Sequence, residues 1–232
     1  MKWLVLIVAV ARTAAADPVL PRVVTAPTAW LTPAGSLVGS AAPDHRGAGS
    51  LILSYGLGGL AAIEIGVASD LRECSPCAPV LLPHAAFRIG AHQDAWFDGQ
   101  PALALAVETG FGASRASSAA AVASRVIGRV HVHGGALLVD ARVGNPRLGP
   151  TLRPTAGIEM TPPRYPRTTL LADLAWEPRF EPTQPALEWL AGWGVRYQAL
   201  HWGSIELDVR HREGEGLAGS TVLVRVNGVL PL

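Results

Sequence analysis

The side chains of this sequence that are best suited to chemistry lie on short alternating segments. His131 and His133 are two residues apart, so on an extended strand they would point to the same side, with their side chains about 7 Å apart by the strand rise. Imidazole binds zinc or copper well, and His92 could join the pair. Two histidines at this spacing do not form a metal signature, and we predict no metal and no cofactor.

A serine nucleophile is not indicated either. No serine lies in a Gly-X-Ser-X-Gly elbow, and the nearness of His201 to Ser204 in the chain does not make a catalytic triad. We therefore predict that the protein is not an enzyme.

The N-terminus has the pattern of an export signal. Lys2 is followed by the apolar stretch Trp3–Ala11, which is too short to span a bilayer, and Ala14–Ala16 offers small residues for cleavage. We predict a signal peptide over residues 1–16 and a single domain over 17–232. In an exported chain, Cys74 and Cys77 favour a disulfide over a zinc or redox site, because no partner ligands accompany them.

Charged residues recur on one face of the alternating segments. In Gly203–Arg212, Ile205 and Leu207 share a face, while Glu206 and Asp208 lie on the other. Arg212 lies on this same polar face, and Glu177 lies on the corresponding face of another segment. The residues predicted to line an interior lumen are Glu64, Arg88, Glu108, Arg125, Arg129, His131, His133, Asp140, Arg142, Glu159, Asp173, Arg196, Glu206, Asp208, Arg210 and Arg225.

Charge balance limits the partners. The formal net charge is +1 and there is no basic run, so we predict no nucleic-acid partner. Arginines and acids are balanced on the polar face, whereas a pore selective for one ion sign would show an excess of the other. Such a face could form a structural Arg–carboxylate network, or it could line a narrow channel for small polar solutes.

About twelve segments with a period of two follow one another from about residue 35 to 230. We read Arg125–His133 as one strand, residues 133–135 as a tight turn and residues 112–120 as a long connection. The connections mostly alternate between short and long, which would place both chain ends on the short-turn side.

A soluble β-sandwich would also alternate, so the period alone does not decide the fold. The apolar face is rich in Ala, Val and Gly, which fill a soluble core poorly, and aromatic residues lie near strand ends, as at membrane interfaces. We predict an all-β fold, an antiparallel up-and-down transmembrane β-barrel of about twelve strands. A soluble exported β-sandwich is the alternative.

On its signal, its two-residue period and its loop alternation, the chain resembles small bacterial outer-membrane β-barrel proteins of ten to twelve strands, over about Ala29–Leu232. The resemblance implies an outer-membrane location with both termini in the periplasm, and contact with membrane lipid and the barrel assembly machinery. The function it favours is a narrow channel or passive transporter for small polar solutes. A non-conducting barrel with a structural or surface-interaction role is the main alternative, and an outer-membrane lipid hydrolase or acyltransferase is a more distant one.

Overall fold

The structure is a computed structural model, and it describes residues 20–72, 79–112, 114–143, 145–179 and 185–232. The predicted signal peptide and the predicted Cys74–Cys77 disulfide lie outside these residues. In the part of the chain that the structure describes, no helix is long and apolar enough to cross a membrane.

The described chain folds into one closed antiparallel sheet. Each strand pairs with the next along the chain, and the last pairs with the first, so the predicted all-β barrel of about twelve strands is confirmed and the sandwich is wrong. The strands are β1 (Ser36–Pro43), β2 (Gly49–Leu57), β3 (Ala61–Arg72), β4 (Pro79–Ala91), β5 (Ala102–Gly110), β6 (Ser114–Ile127), β7 (Val130–Val143), β8 (Arg147–Met160), β9 (Thr168–Arg179), β10 (Ala186–Leu200), β11 (Gly203–Arg212) and β12 (Thr221–Pro231).

The two ends of the barrel differ. β1 starts and β12 finishes at the same end, which we call the terminal end, and the opposite end is the loop end. Two of the five connections at the terminal end have only two residues, 128–129 and 201–202. At another, Gly58 and Gly59 both have positive φ (62° and 75°), the backbone that a type I′ hairpin turn requires.

The outer face of the barrel is apolar over most of its height. On β11, Ile205 and Leu207 are 47% and 56% exposed, while the alternate residues Glu206 and Asp208 are fully buried inside. The same arrangement repeats on β3, where Ile63 and Ile65 are exposed on either side of buried Glu64. The alternation therefore separates an apolar exterior from a charged interior, as in a membrane barrel.

Two sequence expectations fail at the β6–β7 hairpin. The turn lies at Gly128–Arg129, so residues 112–120 are mostly strand, and residues 133–135 continue β7. Arg129 is exposed in this turn, and Arg125 is exposed on the face of β6 opposite to buried Ser124, so neither lines the lumen. The physical reason is composition: β6 is a run of Ala and Ser with low strand propensity, which imitates a loop.

The same misplaced turn also reversed the predicted inward and outward faces in the second half of β7. Because Val130–Val143 is one strand, the buried Val139 and Ala141 share the inner face with His133. Asp140 and Arg142 therefore point outward, and the prediction that they line the lumen is wrong. Asp140 pairs there with exposed Arg147 at the start of β8.

One strand pair is incomplete. β8 and β9 pair only between Ala156–Met160 and Leu170–Leu174, although β8 begins at Arg147 and β9 ends at Arg179. Thr155 donates its hydroxyl to the carbonyl of Leu174 (3.0 Å) where the pairing stops. Beyond that point, towards the loop end, the two strands have no backbone pairing in the described residues.

Candidate functional site: a lumen filled at one end

Residues 20–32, which precede β1, lie inside the barrel, and Pro33 and Ala34 are exposed where the chain leaves it. We call residues 20–33 the inner segment. Val23, Val24 and Ala29 are at most 2% exposed, and the chain turns back on itself because Val23 donates its N–H to the carbonyl of Ala26 (3.0 Å). The inner segment thus packs into the terminal-end half of the lumen as an apolar turn against the strands.

Asp173 of β9 holds the tip of this turn. Its Oδ2 accepts the backbone N–H groups of Val24 (2.9 Å), Thr25 (2.6 Å) and Ala26 (2.6 Å). Three converging N–H donors are well matched to one carboxylate oxygen, and hydrogen bonds to a charged acceptor are about twice as strong as neutral ones. Arg225 of β12 donates to the carbonyls of Val23 (3.0 Å) and Val24, so the turn is held from both sides.

The rest of the inner segment is held in the same manner. Arg88 of β4 donates to the carbonyl of Thr28, and the N–H of Ala29 donates to Oγ of Ser124 (2.7 Å). Ser124 Oγ also lies 2.7 Å from Nδ1 of His133. This is a buried Ser–His pair, but its hydroxyl is occupied by the inner segment, so the arrangement serves to hold that segment.

Trp30 covers both predicted lumen histidines. Its ring meets those of His131 and His133 edge to face, with ring centroids 5.9 Å and 5.8 Å apart. His92, the third histidine of the weighed metal site, lies in the connection after β4. Among the described residues, no group of three His, Cys, Asp or Glu side chains is arranged to hold a metal ion.

Arg22 extends from the inner segment towards the other half of the barrel. Its Nη2 lies 3.2 Å from Glu64 Oε1 on β3 and 3.0 Å from Glu108 Oε2 on β5, so one guanidinium pairs with two acids. His84 lies beside the same carboxylate, with Nε2 3.8 Å from Glu64.

A second charge network lies beneath the inner segment. Glu206 is fully buried and accepts from Arg196 (2.6 Å), Arg225 (2.9 Å) and Asn227 (2.8 Å). Arg196 also lies 3.3 Å from Glu159. Buried carboxylates are tolerated only when paired and hydrogen bonded in this way.

The small residues of β10 make room for these groups. A Cβ built on Gly192 would lie 2.9 Å from Val24 Cβ and closer still to Asp173 Oδ1, and one on Gly194 would lie 2.7 Å from the carbonyl oxygen of Leu207. The inner segment can approach β10 only because these positions carry no side chain.

The structure places twelve of the sixteen predicted lumen residues inside the barrel and leaves Arg125, Arg129, Asp140 and Arg142 outside it. The twelve are Glu64, Arg88, Glu108, His131, His133, Glu159, Asp173, Arg196, Glu206, Asp208, Arg210 and Arg225. Glu177 and Arg212 also face inward, where they pair with each other.

Above the inner segment, towards the loop end, lies a chamber of about 200 Å³. Its floor includes Arg22, Glu64 and Glu108, and its walls include apolar Ile52 and Val139. The chamber is a part of the lumen that the described residues leave unfilled, and it is the candidate site for a ligand or solute.

Sequence reasoning missed the inner segment, although a signal was present. The stretch 20–33 is apolar, contains Pro21, Pro27 and Pro33, and has no alternation. Such a stretch fits neither a strand nor a solvated tail, and the lumen supplies the side-chain partners that its backbone needs.

No protein-family model and no curated protein matches the sequence. Solved structures do match. A KdgM porin is 10% identical with a TM-score of 0.55, covering 85% of this chain and 99% of that one. A KdgM porin in complex with disordered oligogalacturonate gives 9% identity, the same TM-score and the same coverage. A loop-deletion mutant of OmpT, an outer membrane protein of Vibrio cholerae, is 11% identical with a TM-score of 0.47, covering 78% of this chain and 63% of that one.

At such low identity the likeness to the KdgM porins concerns the fold alone. It agrees with the closed antiparallel sheet described above. The chain has the fold of the small bacterial outer-membrane β-barrel proteins.

Proposed function

We propose that the protein is an outer-membrane barrel that admits small polar solutes from its loop end and is closed at its terminal end by the inner segment. The terminal end, with its two-residue turns, faces the periplasm, and the loop end faces outward. The predicted export signal, the apolar exterior and the fold shared with porins support this location.

The observation that carries the proposal is the contact between Asp173 and the tip of the inner segment. A carboxylate that binds three backbone N–H groups fixes the segment across the lumen without any covalent link. The barrel is therefore a closed channel, and conduction requires the segment to leave this contact.

The lumen charges indicate the kind of solute. The chamber is lined by both signs, with Arg22 and Arg210 facing Glu64, Glu108 and Glu177. A balanced lining attracts neither cations nor anions strongly, so the solutes we propose are small, polar and neutral or zwitterionic.

A non-conducting barrel is the second candidate. The burial of Val23, Val24 and Thr28 at 0–2% exposure favours it, because an inner segment packed as tightly as a core resembles a permanent filling. In that case the chamber would be a binding site without an exit.

Planar-bilayer recordings on the purified full chain separate these candidates. We expect the wild type to be mostly closed and Asp173→Ala to open at least ten times as often. Asp140→Ala is the matched control, since Asp140 lies on the outer face and should not change the current. A silent Asp173→Ala variant that still shows the heat-modifiable band of a folded barrel would favour the non-conducting barrel.

A further inference from the structure

Beside the chamber, the barrel wall has a gap in its backbone pairing, between β8 and β9. Backbone pairing stops at Ala156 and Leu174, and Arg147–Thr155 of β8 faces Ala175–Arg179 of β9 without pairing. Unpaired strand edges are not stable against lipid, and at membrane depth they occur where they line a cavity or a polar passage.

Two prolines explain why the ladder ends here. Continuing the register would set Pro154 opposite Trp176 and Leu152 opposite Pro178. The carbonyl of Leu174 accepts the Thr155 hydroxyl and that of Pro154 accepts Trp176 Nε1 (2.9 Å), so these carbonyls face across the gap.

In an antiparallel pair, the N–H and C=O of one residue point to the same neighbour. At positions 154 and 178 a backbone N–H would therefore face the gap and form the next two rungs of the ladder. Proline has no N–H, so these rungs cannot form. The gap is thus a property of the sequence, encoded at two positions.

A side chain covers the gap where the backbone does not. Trp176 donates to the carbonyl of Pro154, and the guanidinium of Arg153 lies 5.1 Å from the centre of its ring. Trp176 also lines the chamber. A rotation of this one side chain would join the chamber to the outside of the wall, which is far easier than parting two paired strands.

The surroundings indicate what would pass. Leu152, beside the gap, is 63% exposed on the outer face, and its partner Leu138 on the neighbouring strand is 39% exposed, so the gap lies within the apolar belt. Inside, the chamber combines apolar walls with charges of both signs. This pairing of surfaces suits a molecule with an apolar chain and a neutral or zwitterionic head.

We propose that the gap between β8 and β9 is a lateral entrance, through which a small amphiphile passes from the membrane into the chamber. The proposal rests on the membrane location proposed above, but it does not require that the barrel conducts. Trp176 is the movable cover of the entrance, and Pro154 and Pro178 keep the strands apart.

The test places a reporter in the chamber. Ser118 lines it, so Ser118→Cys in a Cys74→Ser, Cys77→Ser background can carry a bimane fluorophore. The protein is reconstituted in phosphatidylcholine vesicles, and a single-chain alkylphosphocholine with a nitroxide at its chain end is added as the quencher.

Closing the gap is the decisive change. Pro154→Val with Pro178→Val supplies the two missing donors, and we expect quenching to be at least five times slower. Pro83→Val is the matched control, because Pro83 lies where β4 keeps its pairing with β3, opposite Val67, and its replacement should leave the rate unchanged. Trp176→Ala should accelerate quenching, whereas Trp189→Ala, its neighbour on β10, should not.

Three results would overturn the proposal. If quenching is absent in the parent, or equally fast in the proline double variant, the amphiphile does not use the gap. A dimer in the parent that becomes a monomer in the double variant would mean that the free edges pair with a second copy. The proposed uptake of polar solutes is read separately, by reaction of the unlabelled Ser118→Cys thiol with a water-soluble neutral methanethiosulfonate, which enters from the loop end whatever the state of the gap.

Discussion

Replacing Arg225 should both destabilise the barrel and free the inner segment, and replacing Arg196 should do only the first. Both guanidiniums pair with buried Glu206, but only Arg225 also donates to Val23 and Val24. Loss of one partner from a buried ion pair costs about 3–5 kcal/mol, because the remaining charge stays buried. We expect this cost in both Arg225→Met and Arg196→Met.

The two variants differ in what happens at the turn. Arg225→Met also removes two hydrogen bonds from a charged donor, each worth about 1.5–3 kcal/mol, so the local opening energy of the turn should fall by about 3 kcal/mol or more. Since every 1.4 kcal/mol is a factor of ten, amide exchange at Val24 and Thr25 should accelerate by at least about a hundredfold. In Arg196→Met the same amides should keep their protection.

Urea unfolding in lipid vesicles, followed by tryptophan emission, measures the first effect, and amide hydrogen exchange measures the second. Arg147→Met, at an exposed pair with Asp140, controls for the loss of an arginine and should change the free energy of unfolding by less than about 1 kcal/mol. Equal exchange at Val24 in the Arg225 and Arg196 variants would refute the role of Arg225 in holding the turn.

Three further changes test other parts of the lumen. Gly192→Ala places a methyl group against Val24 and Asp173, so it should raise the conductance of the barrel, while Gly134→Ala, whose Cβ would meet nothing within 4 Å, should not. Trp30→Leu removes two edge-to-face contacts with the lumen histidines and should lower the free energy of unfolding by about 1–3 kcal/mol, measured by urea titration. Asp140→Ala breaks only an exposed ion pair, so it should change the free energy of unfolding, measured by the same urea titration, by about 1 kcal/mol or less.

The strand pattern could be predicted from sequence because the apolar and charged residues alternate within each strand and so mark its two faces. The alternation in β11, where Ile205 and Leu207 face outward and Glu206 and Asp208 inward, is a local signal that no distant residue alters. The exception is β6–β7. There the outward positions carry small residues, and a single misplaced turn reversed the facing of Asp140 and Arg142.

What lies inside the barrel could not be predicted in the same way. The inner segment has no period, and its place depends on Asp173 and Arg225, about 150 and 200 residues away along the chain. The unpaired half of β8 could not be predicted from the sequence for a related reason. A proline such as Pro154 is a break only if its N–H would have faced β9, and that depends on register.

The position of the inner segment also constrains the order in which the molecule can assemble. Every strand pair is a hairpin between chain neighbours except the seam, where Ser36 meets Pro231 across almost the whole chain. Such a closure is slow because the ends of a long chain must meet, and it is the step that seals the cylinder. A segment that is joined directly to β1 and buried among β4, β9 and β12 is most easily wrapped by the sheet before that seam forms. The inner segment is then the template around which the sheet curls, and a chain without it would have to close around water.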